Sequence, residues 1–280
     1  MKNAKIDKIE YTIKSPKWII NIDLEEIWKF RELLYIFAWR DIKVRYKQTF
    51  LGIAWAIFQP FVTMIIFSVI FGRLAGVPSE GIPYPIFVYS GLLFWNYFSV
   101  ALTNSSNCLV ENESIIKKVY FPRLILPVAA TVTPLIDFLF AFVILIGMMI
   151  YYHFRPSFLG IVLVPVLLFI SLLAAAGLGL FLASVNAKFR DVRYILPFFI
   201  QILMYVTPII YPVSIIPQKY QWIALINPMS GVITFARALF LHSGSLNWSH
   251  LGISAMLGII FLVLGIAYFK KTERFVADIL

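Results

Sequence analysis

The chain has 280 residues, 61% of them apolar and only 14% charged, with a net charge of +10. That leaves too little polar surface to cover a soluble protein of this size, and the single cysteine, Cys108, excludes an intrachain disulfide or a multi-cysteine metal site. A basic balance could serve nucleic acid, but all Lys and Arg except Arg73, Arg155, Lys219 and Arg237 fall in residues 1–49, 109–123, 186–193 and 270–280, which alternate with long uncharged stretches. The charge therefore reads as membrane topology and attraction to lipid headgroups, with no nucleic-acid partner.

Residues 1–22 alternate isolated apolar residues with charges and meet Ser15-Pro16, which suggests an extended arm. A helix is expected from Asp23, where Asp23 and Glu26 make a capping-box pattern. On it Trp28, Tyr35, Trp39, Ile42 and Tyr46 share one face and Glu25, Lys29, Glu32, Arg40, Lys43 and Lys47 another, the pattern of an amphipathic helix lying in the membrane interface. No cleavable leader is legible before the first apolar run, so that run is expected to direct insertion.

Six stretches are each long enough to span about 30 Å of hydrocarbon: residues 50–72, 86–107, 124–152, 158–185, 194–212 and 251–269. The positive-inside rule then puts both termini in the cytoplasm. The expected fold is an all-α integral membrane protein, divided into a cytoplasmic arm and interface helix (1–49) and a transmembrane domain (50–280). Span one contains Gln59-Pro60, and span five contains Pro197, Pro208 and Pro212, each a point of bending. Span four repeats Ser171, Ala175, Gly179 and Ala183, a stripe that lets another helix approach closely. Residues 111–122 read as a short amphipathic connection. Residues 213–249 are too apolar for an ordinary loop and too interrupted for a span, so a re-entrant helix pair is expected between spans five and six.

The chemistry of a catalyst is missing from this pattern. There is no glycine-rich phosphate loop and no Gly-Lys dipeptide, so ATP-driven work needs a partner. His153, His242 and His250 map to the outer side without ligand-spaced Cys or carboxylate, and no metal site is expected. Asp137 is the one acid well inside a span, a functional candidate by default, although a helix-to-helix hydrogen bond suits a lone carboxylate as well. Trp and Tyr in mid-span carry polar groups that want partners, and such rings lining a hydrated passage could offer flat faces to sugars.

Several runs are recognisable in order. Trp39-Arg40-Asp41-Ile42-Lys43-Val44-Arg45-Tyr46-Lys47-Gln48-Thr49 precedes Leu51-Gly52 and Trp55-Ala56; Lys117 to Arg123, Asn186 with Phe189-Arg190-Asp191, Thr207-Pro208-Ile209-Ile210-Tyr211 and Asn227-Pro228 follow. The chain resembles the permease subunits of polysaccharide-exporting ABC transporters of the ABC-2 type, the Wzm and teichoic-acid-exporter group. The resemblance implies a homodimer in the bacterial inner membrane, paired with two cytoplasmic ATPase subunits that bind ATP and Mg2+, this chain holding no cofactor. It implies export of an undecaprenyl-diphosphate-linked polysaccharide, O-antigen first, with capsule or teichoic acid as alternatives. It assigns lipid-headgroup access to Leu51-Gly52 and the basic end of the interface helix, where Arg40, Arg45 and Lys47 stand, and channel lining to spans one and five, in which Trp55, Phe58, Tyr205 and Tyr211 are expected to face the passage. ATPase coupling falls to Ile115, Ile116, Lys117 and Tyr120, and an outer gate to Trp222 and Pro228. An ABC-2 exporter of a small lipid or drug fits the topology equally; a membrane-embedded glycan or lipid transferase would need acids on the outer face, where Glu80 stands alone.

Overall fold

The computed structural model describes residues 24–47, 52–155, 157–189 and 191–279, so Asp23 of the expected cap, Leu51 and Arg190 lie outside it. Every regular element among the described residues is helical. The expected interface helix is two: α1 (Leu24–Lys29) and α2 (Arg31–Lys47), interrupted at Phe30, where a Leu33-to-Phe30 backbone bond tightens the turn. Its expected aromatic face is split. Trp28, Tyr35 and Trp39 are exposed, Phe37 and Ala38 pack inward, and Tyr46 turns towards span three.

Span one is α3 (Gly52–Phe67), with Pro60 inside it, continued by a π-helical stretch over Ser68–Leu74. Span two, α4 (Tyr84–Glu111), is the buried axis of the molecule. After it α5 (Glu113–Ile116) is a single turn. Span three is α6 (Ile125–Val132) and α7 (Pro134–Tyr151), broken at Thr133 because Pro134 has no N–H to continue the ladder.

Span four is α8 (Phe158–Lys188), started by Ser157, whose Oγ accepts from the Gly160 N–H at 2.9 Å. Span five differs from its expected extent: α9 (Val192–Val206) stops six residues before Pro212, because the residue before a proline is pushed out of helical geometry and Thr207 is extended (ψ 137°). Next, the unit Gln218–Ile226, which ends in α10 (Gln221–Ile226), and α11 (Pro228–Leu241) meet at 106°, a bend that fits a re-entrant pair or a broken span. Span six, α12 (Trp248–Ile279), continues ten residues past the apolar stretch. Among the described residues five helical units are long and apolar enough to cross a membrane, six if the bent pair counts as one span, and α9 is a shorter apolar helix.

The small residues of α8 work on two faces. Ser171, Ala175, Gly179 and Ala183 are buried, and a Cβ on Gly179 would run into Ser105 of α4. On the other face Gly177 lies against the backbone of Phe261 and Leu262, and Gly265 of α12 against the carbonyl of Gly177. Two side-chain cores result. One surrounds α4 at mid-depth, with Phe94, Trp95, Tyr97 and Phe98; the other joins α2, α6 and the ends of α8 and α12 around Leu109, Ile125 and Phe269.

Candidate functional site

The basic connections gather at one end of the bundle. There Asn186 is buried and donates to the Ser106 carbonyl and to Asn107 Oδ1, both at 3.0 Å, joining the ends of α8 and α4. Arg123 donates to the Glu273 carbonyl on α12. Between α2, α4 and α6 lies a cavity of 530 Å³ whose walls include Arg40, Asp41, Arg45, Glu111 and Asn112. A smaller cavity of 90 Å³ lies beside it, lined by Gln59, Asn96, Ser99 and Asp137, and Arg45 borders both.

Asp137 accounts for this arrangement. It stands in the first turn of α7, where the helix dipole favours a carboxylate, and accepts an ion pair from Arg45 at 2.7 Å and a hydrogen bond from the Tyr46 hydroxyl. Burial, and then the hydrogen bond to Asp137, hold the Tyr46 hydroxyl well above the usual tyrosine range. The acid well inside a span thus anchors the interface helix. Arg45, expected at a lipid headgroup, is already engaged within the chain; Arg40 forks onto Asp41 at 2.8 and 2.9 Å, and Lys47 is exposed. Gly52 begins α3.

At the connection after α4, the four coupling candidates separate. Tyr120 is 79% exposed and its hydroxyl donates to Glu26 of α1 at 3.1 Å, with burial and that contact raising its pKa; Lys117 is exposed and pairs with Glu113. Ile115 is partly buried. Ile116 is 6% exposed and belongs to the second core, because the single turn of α5 points it back at the bundle.

The opposite end is built around the broken end of span five. Three successive carbonyls, those of Pro208, Ile209 and Ile210, are left without helical partners in a segment at membrane depth. Arg237 of α11 donates to Pro208 at 2.6 Å and to Ile209 at 2.5 Å, and Tyr84 donates to Ile210 at 2.7 Å. Irregular backbone at that depth persists only where protein satisfies it, and here it does. Arg237 also donates to the Phe87 carbonyl at 3.1 Å and sits 3.6 Å from that ring's centre. Asn227, the N-cap of α11, accepts from Met229 and donates to Thr207 at 2.6 Å. Two recognisable runs distant in sequence, around Thr207-Pro208 and Asn227-Pro228, therefore form one junction. Beside it Glu80, at a left-handed φ of 57°, accepts from Ser214 and Ser243.

Of the other candidates, Trp55 and Phe58 are 55% exposed and lean together at 5.8 Å, and Tyr205 is exposed on α9. The Tyr211 hydroxyl donates to the Tyr205 and Val206 carbonyls and ends α9. Trp222 is exposed on α10, whereas Pro228 is buried as the first residue of α11. Sequence reasoning missed Arg237. The signal available was a lone arginine within an apolar helical run, since an ionisable group at that depth demands partners.

Comparison with known proteins completes the picture. Residues 32–241 match the family model of the ABC-2 type transporter membrane domain. An O-antigen export system permease protein RfbA of Klebsiella pneumoniae is 32% identical over 249 residues, covering 89% of this chain and 95% of the relative. A Myxococcus xanthus protein of the same name is 29% identical over 78% of this chain and 83% of its own. The polysialic acid transport protein KpsM of Escherichia coli is 26% identical over 84% and 91%.

Proposed function

The chain belongs to the ABC-2 type transporter family, and from that premise we propose that it is the membrane subunit of an ATP-driven exporter of lipid-linked polysaccharide. The observation that carries this reading is the near-full-length similarity to permeases named for O-antigen and polysialic acid. The cargo is an undecaprenyl-diphosphate-linked O-antigen, with capsule or teichoic acid in second place. ATP and Mg2+ bind to two ATPase subunits on the cytoplasmic side, where the basic end and both termini lie. In this reading Arg40, Arg45 and Lys47 border headgroup access, supported by the polar cavity that the two arginines line. Lys117 and Tyr120, with Val119, dock the ATPase.

Two copies are needed because, of the long apolar helices, α3 and α9 bury the fewest of their own side chains. Leu196 is the one side chain of α9 buried in this protomer, while Tyr194, Phe198 and Tyr205 are open. Those two helices would enclose the passage with Trp55, Phe58 and Tyr205 facing it, and the junction with Trp222 and Pro228 would close its outer end. The test is reconstitution of the permease with its ATPase in vesicles. ATP-dependent movement of lipid-linked polysaccharide, with none for a short lipid lacking the glycan, is expected; the reverse selectivity would favour the small-lipid alternative.

A further inference from the structure

A helix broken inside a membrane must find donors for its free carbonyls, and the number found tells how tightly the break is held. Here the break after α9 is held from two helices. From α11, Asn227 reaches Thr207 and Arg237 reaches Pro208 and Ile209; from α4, Tyr84 reaches Ile210. The two α11 residues stand about 15 Å apart along their helix, so the junction is gripped over nearly three turns. Arg237 closes the loop by donating to Phe87 of α4 as well. Gly91 lets the guanidinium come in close to α4: a Cβ there would lie 2.8 Å from it and 3.3 Å and 3.4 Å from Ile233 and Ile209.

This deepens the export reading and rests on it for its consequence. We propose that Arg237 is a positioning residue that fuses the outer end of span five, the second re-entrant helix and the outer end of span two into one rigid body. The passage then opens without separating residues 207–211 from α11. Motion falls instead to the part of α9 before its last turn, which has little packing on its own chain and contains Pro197. Only a guanidinium fits the role. Three planar donors meet three carbonyls in different directions, whereas a lysine presents a single nitrogen to the site.

The experiment places spin labels at Tyr205→Cys and Ile226→Cys, exposed positions on either side of the junction, in a Cys108→Ser background with labelled subunits diluted among unlabelled ones. With the ATPase partner present, one narrow distance is expected, the same without nucleotide and in the ATP-trapped state. Arg237→Gln should broaden it and lower polysaccharide exported per ATP by about tenfold, an ordinary size for lost coupling. Arg237→Lys should fall between. A distance that changes between nucleotide states with Arg237 intact overturns the proposal, and that measurement stands even if the Gln variant fails to fold. So does an Arg237→Gln protein that keeps both the narrow distance and full coupling. If the labelled protein is rigid but the unlabelled permease with its ATPase moves no polysaccharide, the export reading fails and the positioning role survives.

Discussion

An aspartate in the first turn of a membrane-spanning helix is favoured by the helix dipole and disfavoured by hydrocarbon, and Asp137 resolves the conflict by holding Arg45 and Tyr46. Replacing it by Asn leaves Arg45 facing a neutral amide in a half-buried site, a loss of about 1–3 kcal/mol in attachment of the interface helix. We expect Asp137→Asn to increase proteolysis within α2, and the exchange Arg45→Asp with Asp137→Arg to restore protection; an unaltered digestion pattern would remove the anchor role. Neither half of this pair announced the other, since 92 residues separate them and no periodicity links one helix to another. Ile116 and Tyr120 divide similarly. Ile116→Ala should destabilise the permease by about 2–4 kcal/mol, read as a lower melting temperature in detergent, with ATPase recovery following the amount folded. Tyr120→Ala should leave melting unchanged and reduce co-purified ATPase. Equal melting losses in both would mean that neither touches the partner.

At the level of helices, legibility tracked the kind of signal each element carries. A four-residue period of small side chains made the α4-facing stripe of α8 readable, and Pro208 announced the break in span five. The approach of Gly177 to Gly265 was hidden, because a period read along one face says nothing about a single glycine on another. The pairing of Arg237 was hidden for a deeper reason: its partners are backbone carbonyls, which every residue has. At the α8 to α12 contact an added methyl meets backbone that cannot rotate away, so Gly265→Ala should cost about 1–3 kcal/mol. Gly252→Ala, on the same helix with open space around it, supplies the comparison and should melt within a degree or so of wild type. Similar losses at both sites would show that helix-interior glycine as such, rather than close approach, sets the effect.

For the molecule as a whole, α4 is buried while α3 and α9 keep open faces, the feature on which the proposed shared passage rests. Single cysteines at Trp55, Phe58 and Tyr205 should react with a water-soluble thiol reagent faster during ATP turnover than at rest. Reaction with lipid-soluble reagents alone, in every state, would place those faces against acyl chains. The brevity of α9 has a further consequence. Its 15 residues rise about 22 Å, short of the roughly 30 Å of an average hydrocarbon layer, and the chain beyond it turns aside into the junction. Lipid bordering this helix is therefore under hydrophobic mismatch, and must thin locally or be kept away by other protein surface. Bilayer thickness then acts on the transporter as a mechanical load. In short-chain lecithin the load is relieved and ATP-dependent export should quicken, while long-chain lecithin should slow it at unchanged ATPase binding; export indifferent to chain length would mean that α9 is shielded from lipid throughout the cycle.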